Sequence, residues 1–400
     1  TAIWMTPVFK NNPVQGTGLD ASAGYHGYWY VDMTQFDPHF GTNAELENLI
    51  TEAHDRGIKV FFDIITNHTA DIIDYEEQEY NYISKVDRAY RDANGVIFDD
   101  RDYLGTGTFP PLDPVVSFPY TPMFNDPADA TLKVPAWLNN PIYYHNRGNS
   151  SFTGENSLYG DFFGLDDMFT EHPDVVDGMT QIYKDWITNY EIDGFRIDTV
   201  KHVNLEFWQE FTPEIMAHAE SVGRDEFFVF GEVFSGNPVL LSHYTSRADF
   251  PAVLDFHFQE QVRSYASIGG SSDIMRDLFA DDDYFTDADS NVYALPTFLG
   301  NHDRGRFGWF LDVDNGGPLP DSEKVARSQW ATAMMYFARG VPVIYYGDEQ
   351  GFVGDGGDKD ARQDMMPSQV PSYNDDDLIG TDATTADANF DPTHPLYQSY

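Results

Sequence analysis

The 400-residue sequence predicts an α/β fold in which parallel strands alternate with helices packed outside them. Three observations predict it. Short apolar runs alternate with amphipathic stretches along most of the chain. Acidic residues stand where several of those runs end, the place where functional groups gather in a parallel barrel. The chain is also 41% hydrophobic and 16% aromatic, enough core-forming material to exclude disorder despite a formal net charge of -43. That charge excludes nucleic-acid binding through a basic face. It is compatible with a neutral substrate, with bound divalent cations, or with salty surroundings. The absence of cysteine removes thiol nucleophiles, thiolate metal sites and disulfides. No apolar run is long enough to span a bilayer, since the best candidate, residues 330–346, is interrupted by Arg339.

Taken in order, strands are expected at residues 2–4, 60–64, 194–197, 227–230, 253–256, 293–298 and 341–345, where β-branched and aromatic residues cluster. Helices are expected at 44–56, 174–190, 205–219, 274–280 and 323–338. Thr42, followed three residues later by Glu45, makes a capping box for the first helix, and Gly57 supplies its stop. From Thr69 to Asp166 the alternation lapses into a stretch rich in Tyr, Asp, Pro and Gly. A loop of that length without structure is improbable in a compact domain, so the segment reads as an inserted subdomain. The chain then divides into barrel residues 1–68, the insertion 69–166 and barrel residues 167–400. Residues 354–395 read as a long surface loop before a final helix.

The chemistry sits at three strand ends. Asp198 follows the run ending at Ile197, Glu232 follows Phe230 and Gly231, and Asp303 follows Asn301 and His302. Breaking a glycosidic bond with retention needs one carboxylate as nucleophile and another as proton donor, roughly 5–5.5 Å apart. Arg196 lies two residues before Asp198, so both side chains face the same way along a strand and the cation keeps the nucleophile ionised. Glu232 needs a raised pKa to donate a proton, which neighbouring carboxylates would supply. Read without other context, an Arg–Asp pair of this kind is better taken as a buried brace of the barrel.

Several separate motifs in one order settle the context. DIITNH (63–68), GFRIDTVKH (194–202), FGEV (230–233) and FLGNHD (298–303) resemble the four signature segments of the α-amylase family of retaining glycoside hydrolases. TAIWMTP (1–7), YHGYW (25–29), GLDD (164–167) and GVPVIYYGDE (340–349) are secondary matches. The resemblance implies a (β/α)8 TIM barrel with the inserted subdomain after its third strand. It also implies that the family's first strand and helix precede Thr1, and that its last helix and C-terminal β-domain follow about Leu396. Asp198 matches the nucleophile, Glu232 the acid/base and Asp303 the carboxylate that grips and distorts the sugar. Arg196 matches the residue holding the nucleophile, and Asp63 a residue supporting the site. His68 and His302 match donors to sugar hydroxyls, Tyr28 a ring that stacks on the sugar face, and Trp29 its neighbour. Lys201 and His202 match the pair lining the leaving-group side, while Asp358 and Arg362 look like donor-side residues of the loop after the eighth strand. A structural Ca2+ is implied, with Asn67, Asp167, the backbone oxygen of His202 and Asp161 as ligands. Neither an organic cofactor nor chloride is expected, the stretch 341–346 offering no basic residue for the latter.

The resemblance therefore implies endo-acting, retaining hydrolysis of α-1,4-glucosidic bonds in starch, glycogen or maltooligosaccharides. A transglycosylase would share the covalent intermediate and pass it to another sugar. A hydrolase acting on branches, pullulan or cyclodextrins uses the same groups, and a non-catalytic ectodomain has no need for a nucleophile and an acid together. Secretion is expected from the polymeric substrate and the acidity of the chain.

Overall fold

A computed structural model describes residues 1–16, 18, 21–288, 290–387 and 389–400. They form two compact units, Thr1–Glu232 with Arg247–Phe250, and Val233–Ser246 with Pro251–Tyr400.

In the first unit four parallel strands lie side by side in the order Ala2–Met5, Lys59–Ile64, Gly194–Ile197 and Phe228–Gly231. Their register sets Phe61 opposite Gly194, and Gly194 opposite Phe228. Only glycine fits at 194, because a Cβ would stand 2.3 Å from the Phe228 carbonyl oxygen and 2.8 Å from the Phe61 ring. The helix Asn43–His54 begins at Thr42 with both halves of the expected capping box, and Gly57 leaves the turn after it at φ +70°. The helix Pro173–Tyr190 starts on a His172 side-chain cap and ends at Glu191 in the left-handed region. With Leu205–Ser221 it covers the sheet, burying Tyr183, Trp186, Phe207 and Phe211.

A short antiparallel pair, Phe9–Asn11 with Tyr30–Phe36, was not among the predicted elements. It places Phe9 against Tyr30 and Trp186 in one aromatic cluster. Between residues 69 and 166 regular structure is sparse: an antiparallel pair Asp74–Tyr75 with Pro122–Met123, a one-turn helix Asn156–Tyr159 and several 3-10 turns. Aromatic packing replaces it. Tyr90, Phe118 and Phe169 are buried together, with Phe98, Phe109, Leu112 and Ile142 packed around them.

The second unit pairs Pro296–Phe298 with Val341–Val343 in parallel. Helices Phe256–Val262, Asp273–Ala280, Phe307–Val313 and Asp321–Phe337 close over Phe258, Leu278, Phe310 and Leu311. Two expectations are corrected here. The strand expected at 253–256 is only Ala252–Val253, because Asp255 accepts from the Phe258 N–H and starts a helix. The run 293–298 opens as a 3-10 turn, Val292–Ala294, before it extends. Residues 391–400 form turns. An eight-stranded closed ring is not among the strand pairings of the described residues. Among the same residues, no helix is long and apolar enough to cross a membrane.

Candidate active site

The first unit gathers its functional groups at the carboxyl ends of the parallel strands. The Asp198 N–H donates to the Ile64 carbonyl at 2.8 Å and the Glu232 N–H to that of Ile197 at 2.7 Å. Each acid therefore stands one step beyond its own strand, in register with its neighbour. Arg196, one pleat earlier and fully buried, faces the same way as Asp198 and reaches three carboxylates. Its guanidinium lies 2.6 Å from Asp198, 2.8 Å from Asp63 and 2.9 Å from Glu232. Arg196 is 0% exposed, whereas Asp198 and Glu232 keep 8% and 6% of their surface. The cation is thus sealed beneath acids whose outer edges still meet solvent.

Asp63 is the anchor of this group. It accepts hydrogen bonds from Trp4 Nε1 at 3.0 Å and the Tyr28 hydroxyl at 3.1 Å, as well as the Arg196 ion pair. Burial pushes its carboxyl up to about 6, with Arg196 pulling the other way. Burial also opposes the charge on Arg196, but Asp63 and Glu232 outweigh it and raise the guanidinium above its ordinary value. Glu232 is steadied from a second side, because the Thr199 N–H donates to its Oε2 at 3.1 Å. That donation requires Thr199 to adopt φ +52°, a left-handed conformation costly for a β-branched residue.

The other sequence-predicted residues fall into two sets. Tyr28 joins the Asp63 group, while Trp29 has its backbone N–H on Asn11 Oδ1, at the end of the strand Phe9–Asn11, and its ring edge-on to His26. Burial, with His202 and His26 nearby, lowers the His68 pKa to about 3. Burial takes His202 down to about 4, so at neutral pH both rings are uncharged. The two flank one phenyl ring, Phe162, at 5.4 and 5.1 Å. Lys201 is half-buried, and burial lowers its pKa against the opposing pull of Glu232.

In the second unit Asp303 sits in a tight turn. Asn301 and Gly305 exchange backbone hydrogen bonds across it, and Asn301 Oδ1 accepts from the N–H groups of Asp303 and Arg304. The Asp303 carboxylate meets His302 Nε2 at 3.2 Å and Arg362 at 3.7 Å, and Arg362 also reaches Asp358 at 3.2 Å. The loop carrying Asp358 closes on the turn through its N–H to the Asp303 carbonyl. A side chain at Gly357 would strike that same carbonyl at 2.7 Å. His302, Asp303, Asp358 and Arg362, separated by up to 60 positions, are thus one group.

The residues expected to hold Ca2+ gather near the end of the strand Lys59–Ile64. Asn67 and Asp167 lie on adjoining segments joined by an isolated bridge, with His68 opposite Asp167 and the Met168 N–H on the Asn67 carbonyl. Asp161 Oδ1 accepts from the Asp167 N–H at 3.4 Å. Burial raises both carboxyls, Asp161 to about 7 and Asp167 to about 8, with Tyr75 and His145 as their hydrogen-bond partners. Asp161 and Asp167, joined through the Asp167 N–H, bring two desolvated carboxyl groups together, donors of the oxygen kind that a hard cation takes. His202 Nδ1 meets the Ser157 hydroxyl and carbonyl at 3.1 and 2.9 Å, and the His202 backbone oxygen is the donor whose chemistry suits a hard cation. Among the described residues, no group of three or more His, Asp or Glu is placed to hold a metal.

Sequence reasoning missed Trp4, Thr199 and Asn301 as supports. Trp4 carried a readable signal, since it lies on a strand whose neighbour bears Asp63. Thr199 carried none, because a left-handed backbone at a threonine leaves no trace in residue type.

Comparison with known proteins adds to this geometry. The family model described as "Alpha amylase, catalytic domain" matches residues 1–386. An α-amylase of Streptomyces lividans is 53% identical over 399 residues, covering 100% of this chain and 43% of its own length. A cyclomaltodextrin glucanotransferase of Geobacillus stearothermophilus is 29% identical, over 89% of this chain and 42% of the relative. Among solved structures, the α-amylase of Geobacillus thermoleovorans complexed with acarbose is 28% identical with a TM-score of 0.65, over 93% of this chain and 66% of that one. The chain spans less than half the length of these two curated relatives.

Proposed function

The chain belongs to the α-amylase family, and from that premise we propose that it is a glycoside hydrolase cleaving α-1,4-glucosidic bonds within starch, glycogen or maltooligosaccharides, with retention. The observation that carries the reading is Arg196, one guanidinium in contact with both Asp198 and Glu232. A single side chain reaching both acids favours the short spacing of a retaining pair over the roughly 6.5–9.5 Å of an inverting one. It also explains a division of labour. One cation among three carboxylates leaves an excess of negative charge, which favours keeping one proton in the group.

In this reading Glu232 holds that proton and Asp198 is ionised. The Asp198 carboxylate attacks the anomeric carbon as the glycosidic bond breaks, and Glu232 gives its proton to the departing oxygen. Glu232, now a carboxylate, takes a proton from water, whose oxygen displaces Asp198 and restores both groups. Asp303, His302 and His68 hold sugar hydroxyls, Tyr28 stacks on the sugar face, and Lys201 with His202 lines the leaving-group side. Asp358 and Arg362 serve the donor side through their contacts with each other and with Asp303. Trp29 is assigned to the rim of the cleft.

The closed (β/α)8 barrel and the separate standing of residues 69–166 belong to this proposal. So does a structural Ca2+ held by Asn67, Asp161, Asp167 and the His202 carbonyl, which would fix the 161–167 segment to the end of the strand Lys59–Ile64. Release outside the cell accords with a polymeric substrate and an acidic chain.

The test follows the products of maltoheptaose by chromatography over time. Only shorter sugars, with loss of turnover in Asp198→Asn and Glu232→Gln, support hydrolysis. Products longer than the starting sugar would make transfer the main reaction, the activity named for the glucanotransferase relatives.

A further inference from the structure

A cavity of about 590 Å³ opens between the helix Asn43–His54, the helix Pro173–Tyr190 and the segment carrying Trp137. That volume lies in the roughly 300–1,000 Å³ range of small-ligand sites. None of its lining residues is among the candidate catalytic, sugar-contacting or calcium residues. We propose that this groove is a second carbohydrate site, one that holds an α-glucan chain without cleaving it. The class of sugar rests on the functional reading above; the groove and its chemistry do not.

Two aromatic rings form its walls. Trp137 packs on the helix at Gly178, where a Cβ would stand 2.5 Å from the indole Cζ2. Glycine in a helix interior weakens the helix, and here it is the residue that gives the indole its seat. Tyr190 stacks on Trp186 with ring centroids 4.5 Å apart and planes 25° from parallel. Trp186 is in turn pinned by its Nε1–H to the Met33 carbonyl at 2.6 Å. Trp137 and Tyr190 remain partly exposed, so each presents a ring face from a fixed base. The positions of both rings are thus set before any ligand arrives, which lowers the ordering cost of binding.

Polar groups surround the rings. Asn43, Gln181 and Asn189 supply amides, and Glu47 and Asp185 supply carboxylates. No lysine or arginine lines the cavity. Two carboxylates without a cation repel phosphates, nucleic acids and anionic polysaccharides. Gln181 Nε2 donates to Asp185 at 2.7 Å and Asn43 Oδ1 accepts from the Phe36 N–H at 2.8 Å, so these groups are held in place, and a purely aliphatic ligand would cover their remaining polar positions without pairing them. A neutral pyranose chain satisfies both halves, its C–H faces lying on the rings and its hydroxyls meeting amides and carboxylates.

The experiment measures adsorption to granular starch in the Asp198→Asn chain, which spares the ligand, with Tyr190→Ala, Trp137→Ala or Gly178→Ala added. Gly178→Ala displaces the indole without removing it. The proposal expects the dissociation constant to rise at least fivefold in each folded variant. In the chain with intact Asp198, the same three changes should leave kcat/KM on maltopentaose within twofold. Unchanged adsorption in Tyr190→Ala together with one folded Trp137 or Gly178 variant would overturn the groove as a site and leave the hydrolase reading untouched. Equal adsorption to cellulose, lost in the same variants, would overturn the α-glucan assignment. If the unmutated chain failed to cleave maltopentaose, the functional reading would fall, while loss of starch adsorption in the variants would still uphold the groove.

Discussion

Arg196 is the residue on which the candidate site depends, because its removal takes away the one guanidinium that Asp63, Asp198 and Glu232 share. Stripping one partner from a buried ionic group costs roughly 3–5 kcal/mol. Arg196→Ala is therefore expected to lose that much in urea unfolding, as well as its activity. A stable, inactive Arg196→Ala would show that the carboxylates neutralise themselves by protonation. Glu232→Gln should lose about 10²–10⁴-fold in rate, the usual contribution of a positioned acid, with no loss of fold. Thr199 offers the opposite sign. Its left-handed backbone and its buried hydroxyl, which has no partner among the described residues, both disfavour threonine. Thr199→Gly should keep the N–H to Glu232 and raise stability by about 1 kcal/mol in thermal unfolding. A loss instead would mean that the side chain's packing outweighs its strain.

At the scale of elements, legibility followed chain chemistry. The strands bearing Asp63, Asp198 and Glu232 were readable because a β-branched and aromatic run ends on an acid, and the structure puts those ends in register. The helix Asn43–His54 was readable from its cap. Thr42→Ala removes two hydrogen bonds to Glu45 and the reciprocal constraint, and should cost about 1 kcal/mol by chemical denaturation. The helices Pro238–Arg247, Phe256–Val262 and Phe307–Val313 went unread because short apolar runs carry no period that separates helix from strand. Residues 253–256 show the error directly, since Asp255 acts as a helix cap in what reads as a strand. The grouping of Asp303 with Asp358 and Arg362 was legible only through the family resemblance, because no local pattern ties residues that far apart. Thr199 and the Trp137–Gly178 contact could not be read at all, as both depend on backbone geometry.

Across the whole molecule the net charge of -43 should dominate the response to solvent. Raising salt from about 0.01 to about 1 M shrinks the Debye length from roughly 30 to 3 Å, so the melting temperature should rise as self-repulsion is screened. Asp376 marks one local cost of that acidity. Burial, then Asp355, pushes its carboxyl from 3.8 up to about 6. An acid raised in the folded state contributes stability that is complete below about pH 4 and lost as pH rises through 6. Asp376→Asn should therefore be more stable than the parent at pH 8 by about 1 kcal/mol, after discounting for solvent screening, and no more stable at pH 4. The proposed Ca2+ predicts a lower melting temperature in chelator, by loss of a ligand that binds only the folded chain; an unchanged curve would count against an exchangeable ion. In the proposed reaction Asp198 and Glu232, joined by Arg196, act as a retaining pair. Proton NMR of the products in the first minutes of maltopentaose cleavage tests it most directly. Shorter sugars released as α-anomers are expected, and β-anomers would mean that the two acids invert the anomeric centre.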